Sequence, residues 1–133
     1  MADSSVTITG LDEMRRAVDQ LPATVTAALK TVAKRSAQRI EGDAARRLRS
    51  QQKTEAHALA DAITITEDVP NKQYIVTSSA PAGQPANLPI WNEHGTSKMP
   101  ARPYMRPAAD AEGPTYEREV AAAATDAVSE ALS

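Results

Sequence analysis

The chain has 133 residues, a net charge of −2 and no cysteine, which excludes disulfides, thiolate metal sites and cysteine nucleophiles. It has no phenylalanine, and aromatic residues make up 3% of it. Alanine supplies much of the apolar content and buries little area, so we expect a single domain (residues 1–133) with a thin core. A thin core favours self-association, with a marginal monomer as the alternative.

Charge is unevenly distributed along the chain. From Leu11 to Lys53, ten basic residues stand against five acidic ones, whereas from Pro107 to Ser133 one arginine stands against six acidic residues. Such regions can pair within one subunit or between neighbouring subunits. The first residues lack a signal-peptide pattern, and no apolar run approaches the roughly 20 residues of a membrane span. We therefore expect a chain that assembles in the cytoplasm without a membrane partner.

Two short elements are predicted before residue 23. The alternation of apolar and polar residues in Val6-Thr7-Ile8-Thr9 predicts a strand that ends at Gly10. Apolar residues at helical spacing then predict a short helix, which Pro22 ends. The apolar positions of this helix are Leu11, Met14, Val18 and Leu21.

A long amphipathic helix is predicted from about Ala23 to Arg49, because apolar or small residues recur at steps of three or four. These residues are Val25, Leu29, Val32, Ser36, Ile40, Ala44 and Leu48. A row of arginines runs beside them: Arg35, Arg39, Arg46 and Arg49. We interpret this row as a solvated face or as a partner for the acidic C-terminal helix. A surface that faces DNA or a neighbouring subunit is the alternative.

The middle of the chain predicts a loop, a hairpin and one helical turn. Residues 50–58 are polar and predict a loop. The β-branched segments 62–66 and 74–77, with a turn at Pro70 between them, predict a β-hairpin. Ile90 to His94 can form one helical turn, with Ile90 and Trp91 facing the interior.

A second amphipathic helix with an acidic outer face is predicted towards the C-terminus. Pro107 can start a helix, Gly113-Pro114 is expected to interrupt it, and the pattern resumes at Thr115. Its apolar positions are Tyr116, Val120, Ala124, Val128 and Leu132. The predicted fold is therefore α+β: a short N-terminal strand and helix, a long basic helix, a β-hairpin, a proline-rich extended arm and an acidic C-terminal helix.

The arm, residues 91–107, contains the only tryptophan and three of the nine prolines. Because proline fixes φ and extends the residue before it, residues 99–107 are predicted to be stiff and extended. We expect Tyr104 and Met105 to fill a pocket on a neighbouring subunit, and Arg102 and Arg106 to pair with acidic residues there. The alternative is that the arm packs on the hairpin of its own subunit. The expected interface residues are Trp91, Glu93, His94, Gly95, Thr96, Met99, Pro100, Arg102, Pro103, Tyr104, Met105 and Arg106.

The sequence predicts no catalytic, cofactor or metal site. Glu93 and His94 are adjacent, so their side chains diverge, and no second histidine lies nearby. The serines at positions 78, 79 and 97 have no neighbouring base, and the five glycines are too dispersed for a phosphate-binding loop. We therefore expect a protein that is not an enzyme.

The segment from Glu93 to Ala108, Glu-His-Gly-Thr-Ser-Lys-Met-Pro-Ala-Arg-Pro-Tyr-Met-Arg-Pro-Ala, resembles the signature of a tailed-phage family. This is the gp-ten-like tail-component family of long-tailed phages, and lambda minor tail protein Z and tail-completion proteins carry similar segments. The opening strand, the long helix and the passage from Thr54 to Ile65 agree in order. Thr54-Glu55 departs from the Thr-Gly usual there. His94 replaces an aromatic residue, so the resemblance implies that His94 packs.

The resemblance implies a virion structural protein of the head–tail junction, a neck or tail-completion protein with no cofactor. Such proteins form rings, commonly six-fold, around a channel through which DNA passes without being read. Their partners are the head-completion or stopper connector and the tail terminator or tail tube. A tail-terminator ring subunit is an alternative within the same resemblance. A nucleic-acid-binding accessory protein that uses the arginine row is a further one.

Overall fold

The computed structural model describes residues 6–8, 23–51, 53–71 and 73–131, which form three strands and four helices. In chain order these are β1 (Val6–Ile8), α1 (Ala23–Arg49), α2 (Thr54–Asp61), β2 (Ile63–Asp68), β3 (Gln73–Ser78), α3 (Leu88–His94) and α4 (Met105–Ala131). The α+β class is confirmed. The predicted helix with Leu11, Met14, Val18 and Leu21 lies outside the described residues, as do Gly10 and Leu132.

The three strands form one antiparallel sheet with β3 in the centre. The predicted hairpin is confirmed: β2 pairs with β3 from Ile63 opposite Ser78 to Asp68 opposite Gln73. The predicted N-terminal strand is also confirmed, and it pairs with the other edge of β3, with Val6 opposite Ser78. The sheet therefore joins the start of the chain to its middle.

Helix α1 begins and ends at the predicted residues, and its apolar stripe faces the interior. Of the seven predicted positions, six are buried and Ile40 is partly buried. The C-terminal half of α1 packs with α2 and the sheet around Leu48, Leu59 and Val76. Its N-terminal half packs against α4 in a second cluster that contains Leu29 and Val120. Alanines contribute to both clusters, so the core is as thin as the composition suggests.

The predicted loop at residues 50–58 is wrong in its second half, because helix α2 begins at Thr54. Ala56, Leu59 and Ala60 lie three and four residues apart and are all buried. This spacing places them on one face of a helix. The two alanines make the apolar face too weak to stand out in a polar segment, so packing against α1 decides the structure.

The predicted interruption at Gly113-Pro114 is also wrong, because α4 runs unbroken from Met105 to Ala131. A proline inside a helix removes one backbone hydrogen bond and costs about 3 kcal/mol. Here Arg39 of α1 binds Glu112 before the proline and Glu119 after it. Tertiary contacts on both sides of Pro114 therefore hold the two halves of α4 in line.

The inward face of α4 differs from the predicted stripe at Val128, which is 41% exposed. Val120 and Ala127 are buried, and Tyr116 and Ala124 are partly buried. A helix repeats every 3.6 residues, so repeated steps of four drift off one face and a step of three must follow. Ala127 therefore occupies the inward position.

Candidate interaction site

The segment that resembles the phage signature begins at Glu93, in the last turn of the short helix α3. Residues Pro89, Asn92 and Glu93 of this helix are buried, and they lie three and four residues apart on one face. Trp91 points the other way and is 38% exposed, and His94 is exposed as well. The expectations that Trp91 faces the interior and that His94 packs are therefore wrong. The polar face of α3 is the inward one.

Glu93 turns inward to hold the start of α4. Its Oε1 accepts hydrogen bonds from the backbone N–H groups of Tyr104 and Met105 at 3.0 and 2.9 Å, and its Oε2 accepts one from Arg106 at 3.2 Å. The first N–H groups of a helix have no partner within the helix and carry a partial positive charge. The Glu93 carboxylate, 5% exposed, satisfies three of these donors at the start of α4.

Asn92 and Gly95 close the loop between α3 and α4. Asn92 bonds Arg102 twice: its side-chain N–H donates to the Arg102 carbonyl at 3.0 Å, and its own carbonyl accepts from the Arg102 N–H at 2.8 Å. Gly95 has φ +79°, and a Cβ there would lie 2.7 Å from the backbone nitrogen of Ala101. Only glycine fits this position without strain. We call residues 95–103, held in this way at both ends, the clamped loop.

Tyr104 and Met105, which follow the clamped loop, lie in the core of their own chain. They are 0% and 1% exposed, and the Tyr104 hydroxyl lies 2.6 Å from the Ser78 hydroxyl of β3. Burial raises the pKa of Tyr104 to about 12. The expectation that both side chains fill a neighbour's pocket is wrong, and the alternative, packing on the chain's own hairpin, describes Tyr104. In a core without phenylalanine, a tyrosine is the large aromatic side chain available.

The predicted extended arm is accordingly shorter and more closed than expected. Helix α4 begins at Met105, and Thr96 and Met99 bond each other across a tight turn, with N–H to carbonyl distances of 2.8 and 3.3 Å. The charged, histidine and aromatic side chains exposed around the loop are those of Trp91, His94, Lys98 and Arg106, and Arg102 is half-buried beside them. They form a mainly basic surface with one aromatic side chain on a rigid support.

Arg39 is the centre of the contact between α1 and α4. Its guanidinium donates to both oxygens of the buried Glu112 at 2.7 and 2.9 Å, and it also binds Glu119. These hydrogen bonds raise the pKa of Arg39, and the bond from Arg39 lowers the pKa of Glu119. Glu119 therefore adds stability when ionised, and this contribution is lost as the pH falls through its folded-state pKa.

The other members of the arginine row also have acidic partners in the same chain. Arg35 lies 3.8 Å from Glu119, Arg46 binds Asp43, and Arg49 lies 2.7 Å from Asp61. The contacts of Arg35 and Arg39 with Glu119 agree with the interpretation that the row pairs with the acidic C-terminal helix. These ion pairs reduce the positive charge that the row offers to DNA phosphates.

Some residues of the site were missed by sequence reasoning, namely Ser78, Asn92, Glu112 and Glu119. Asn92 and Glu93 follow Pro89 at helical spacing, so a polar face on a short helix was the available signal. No local signal connects Arg39 to a glutamate 73 residues later.

Within the described part of the chain, no group of three His, Asp or Glu side chains could hold a metal ion. None of the described helices is long and apolar enough to cross a membrane. No protein-family model, curated protein or solved structure matches the chain.

Proposed function

We propose that this chain is a structural subunit of a phage head–tail junction, a neck or tail-completion protein that forms a ring around the DNA channel. The observation that carries the proposal is the clamped loop. The segment that resembles the phage signature, from Glu93 to Ala108, contains the whole clamped loop and the Glu93 carboxylate that holds it. Three features keep this loop rigid: the buried Glu93 carboxylate, Gly95 with its positive φ, and the two hydrogen bonds between Asn92 and Arg102.

A rigid surface loop loses little conformational entropy when it binds, so it gains affinity from pre-organisation. The clamped loop carries Lys98 and Arg102, with Trp91 and Arg106 beside it, and arginine and tryptophan are enriched in binding hot spots. The proposed role for this surface is contact with a neighbouring subunit or with an adjoining ring of the junction. Tyr104 and Met105 support the loop from below.

The test is complementation of a phage that lacks its own copy of this gene. Wild-type protein is compared with the double variant Arg102→Glu/Arg106→Glu, which reverses the charge of the loop surface without touching Glu93. We expect complete heads and complete tails that fail to join, which electron microscopy of the lysate detects. Arg118→Glu is the matched control, because Arg118 is an exposed arginine of α4 outside the loop surface. Normal virions from the double variant would refute the docking role of the loop.

The same images distinguish a neck subunit from the alternative, a tail-terminator subunit. A terminator stops tail growth, so its loss gives tails of uncontrolled length, whereas loss of a neck subunit leaves tails of normal length unjoined to heads.

A further inference from the structure

A groove lies between α1 and α4 at the end of the helix pair away from the clamped loop. It has a volume of about 360 Å³, and its lining is mostly small: Thr24, Ala28, Ala123 and Ala127. Two carboxylates, Asp126 and Glu130, complete it. Asp126 is exposed and makes no ion pair within the described residues, whereas Glu130 has a further interaction of its own. The groove is therefore apolar at its floor and acidic at its rim.

The clamped loop has the opposite character. Lys98 and Arg102 have no carboxylate of the described chain within 4.0 Å, and the neighbouring Arg106 reaches only Asp110, at 4.0 Å. Lys98 is exposed, next to the partly buried Met99. The loop thus presents a basic side chain beside an apolar one, which complements an acidic groove with an alanine floor.

The two surfaces are too far apart to meet within one subunit. Glu93 ties the loop to Met105 at the start of α4, and Asp126 lies 21 residues further along (126 − 105). At 1.5 Å per residue, this separation is about 30 Å.

We propose that the clamped loop of one copy docks in the groove of a second copy, with Lys98 and Arg102 facing Asp126. This contact rests on the proposed ring-forming function and names the two surfaces that join its subunits. The apolar stem of Lys98 covers the alanine floor while its ammonium group reaches the carboxylate at the rim. Because the two surfaces differ, each copy can bind one neighbour at each end. Repeated contacts of this kind form a closed ring or an open filament.

The first experiment is a charge exchange on the purified full chain, followed by sedimentation velocity at low salt. The loop variant is Lys98→Glu/Arg102→Glu and the groove variant is Asp126→Lys. Each variant alone repels itself at the contact, so we expect self-association to weaken by about tenfold or more. In an equimolar mixture every contact again pairs opposite charges, and association returns. Lys53→Glu and Glu117→Lys serve as controls, since both residues are exposed and lie outside the two surfaces.

The second experiment uses the absence of cysteine from the chain. A single chain with Lys98→Cys and Asp126→Cys cannot close an internal disulfide, because bridged Cα atoms lie within about 7 Å. Mild oxidation is therefore expected to give a ladder of disulfide-linked oligomers, and the pair Lys53→Cys and Glu117→Cys is expected to give none.

A wild-type chain that stays monomeric at every concentration, or variants that do not recover on mixing, would overturn the contact. If the contact forms but the chain is absent from the phage neck, the inference stands and the proposed function fails. If the chain is found in the neck but the mixture shows no recovery, the proposed function stands and the inference fails.

Discussion

Two buried glutamates fasten helix α4, and they do so with different partners. Glu93 accepts hydrogen bonds from three uncharged backbone N–H groups at the start of the helix. Glu112, two residues before Pro114 in the same helix, accepts two from the guanidinium of Arg39. The first arrangement depends on the fold of one short segment, whereas the second depends on two helices distant in sequence. A local sequence motif therefore marks the contact of Glu93 with the start of α4, whereas none marks the contact between Arg39 and Glu112.

The largest effect is expected for Glu93→Ala, which removes the acceptor for three N–H groups in a buried place. Each unsatisfied donor costs about 1 kcal/mol, so we expect the free energy of unfolding to fall by about 3 kcal/mol. The clamped loop should loosen as well. Urea denaturation measures the first effect, and faster amide hydrogen exchange at Tyr104, Met105 and Arg106 measures the second.

Glu117→Ala is the control for this prediction, since Glu117 is an exposed glutamate of α4, the helix that Glu93 holds. Its substitution should change the free energy of unfolding by no more than about 0.5 kcal/mol. Equal stability of the Glu93 and Glu117 variants would mean that water replaces the carboxylate at no cost. It would contradict the claim that Glu93 stabilises the start of α4.

A smaller effect is expected for Arg39→Ala, which leaves the buried Glu112 without its cation. Removing one partner of a buried ion pair can cost 3–5 kcal/mol, but the Arg39 side chain is 35% exposed and solvent screens the pair. We therefore expect a loss of about 2 kcal/mol in the free energy of unfolding, measured by urea denaturation.

The Arg39→Ala and Glu93→Ala variants are expected to be destabilised in different parts of the chain. Arg39 is the described residue that binds both Glu112 and Glu119 across Pro114. Without it, amide exchange should accelerate on either side of the proline while the clamped loop stays protected. Arg39→Lys, which keeps the charge but loses the planar fork, should recover only part of the stability. Full recovery by lysine would show that charge alone matters there.

The elements that sequence reasoning predicted well are those with strong local patterns. The bounds of α1 and the β-hairpin follow from periodicity and β-branched residues, and both are confirmed. Helix α2 and the continuity of α4 at Pro114 depend on tertiary contacts that override a weak or contrary local signal. The same holds at the site. The arm, residues 91–107, stood out in the sequence as one unit, but whether Tyr104 faces a neighbour or its own core depends on the position of Ser78.

The smallest change in the free energy of unfolding is expected at Tyr104, which connects the clamped loop to the core. Tyr104→Phe removes the hydroxyl that contacts the buried Ser78, and we expect a loss of about 1 kcal/mol at neutral pH. The pH dependence is more specific. The pKa of Tyr104 is raised from 10.0 to about 12, so between these values the folded protein keeps a proton that the unfolded chain has lost.

The stability from this raised pKa is therefore complete below pH 10 and is lost as the pH rises towards 12, by up to about 1.4 kcal/mol per pH unit. The Phe variant lacks this titration, so the advantage of the wild-type protein should shrink above pH 10. Urea denaturation at pH 8, 10 and 11 measures it. Tyr74 and Tyr116 also have raised pKa values, but they titrate in both proteins and cancel in the difference. Parallel curves for the two proteins would place the Tyr104 hydroxyl in water and contradict its burial beneath the clamped loop.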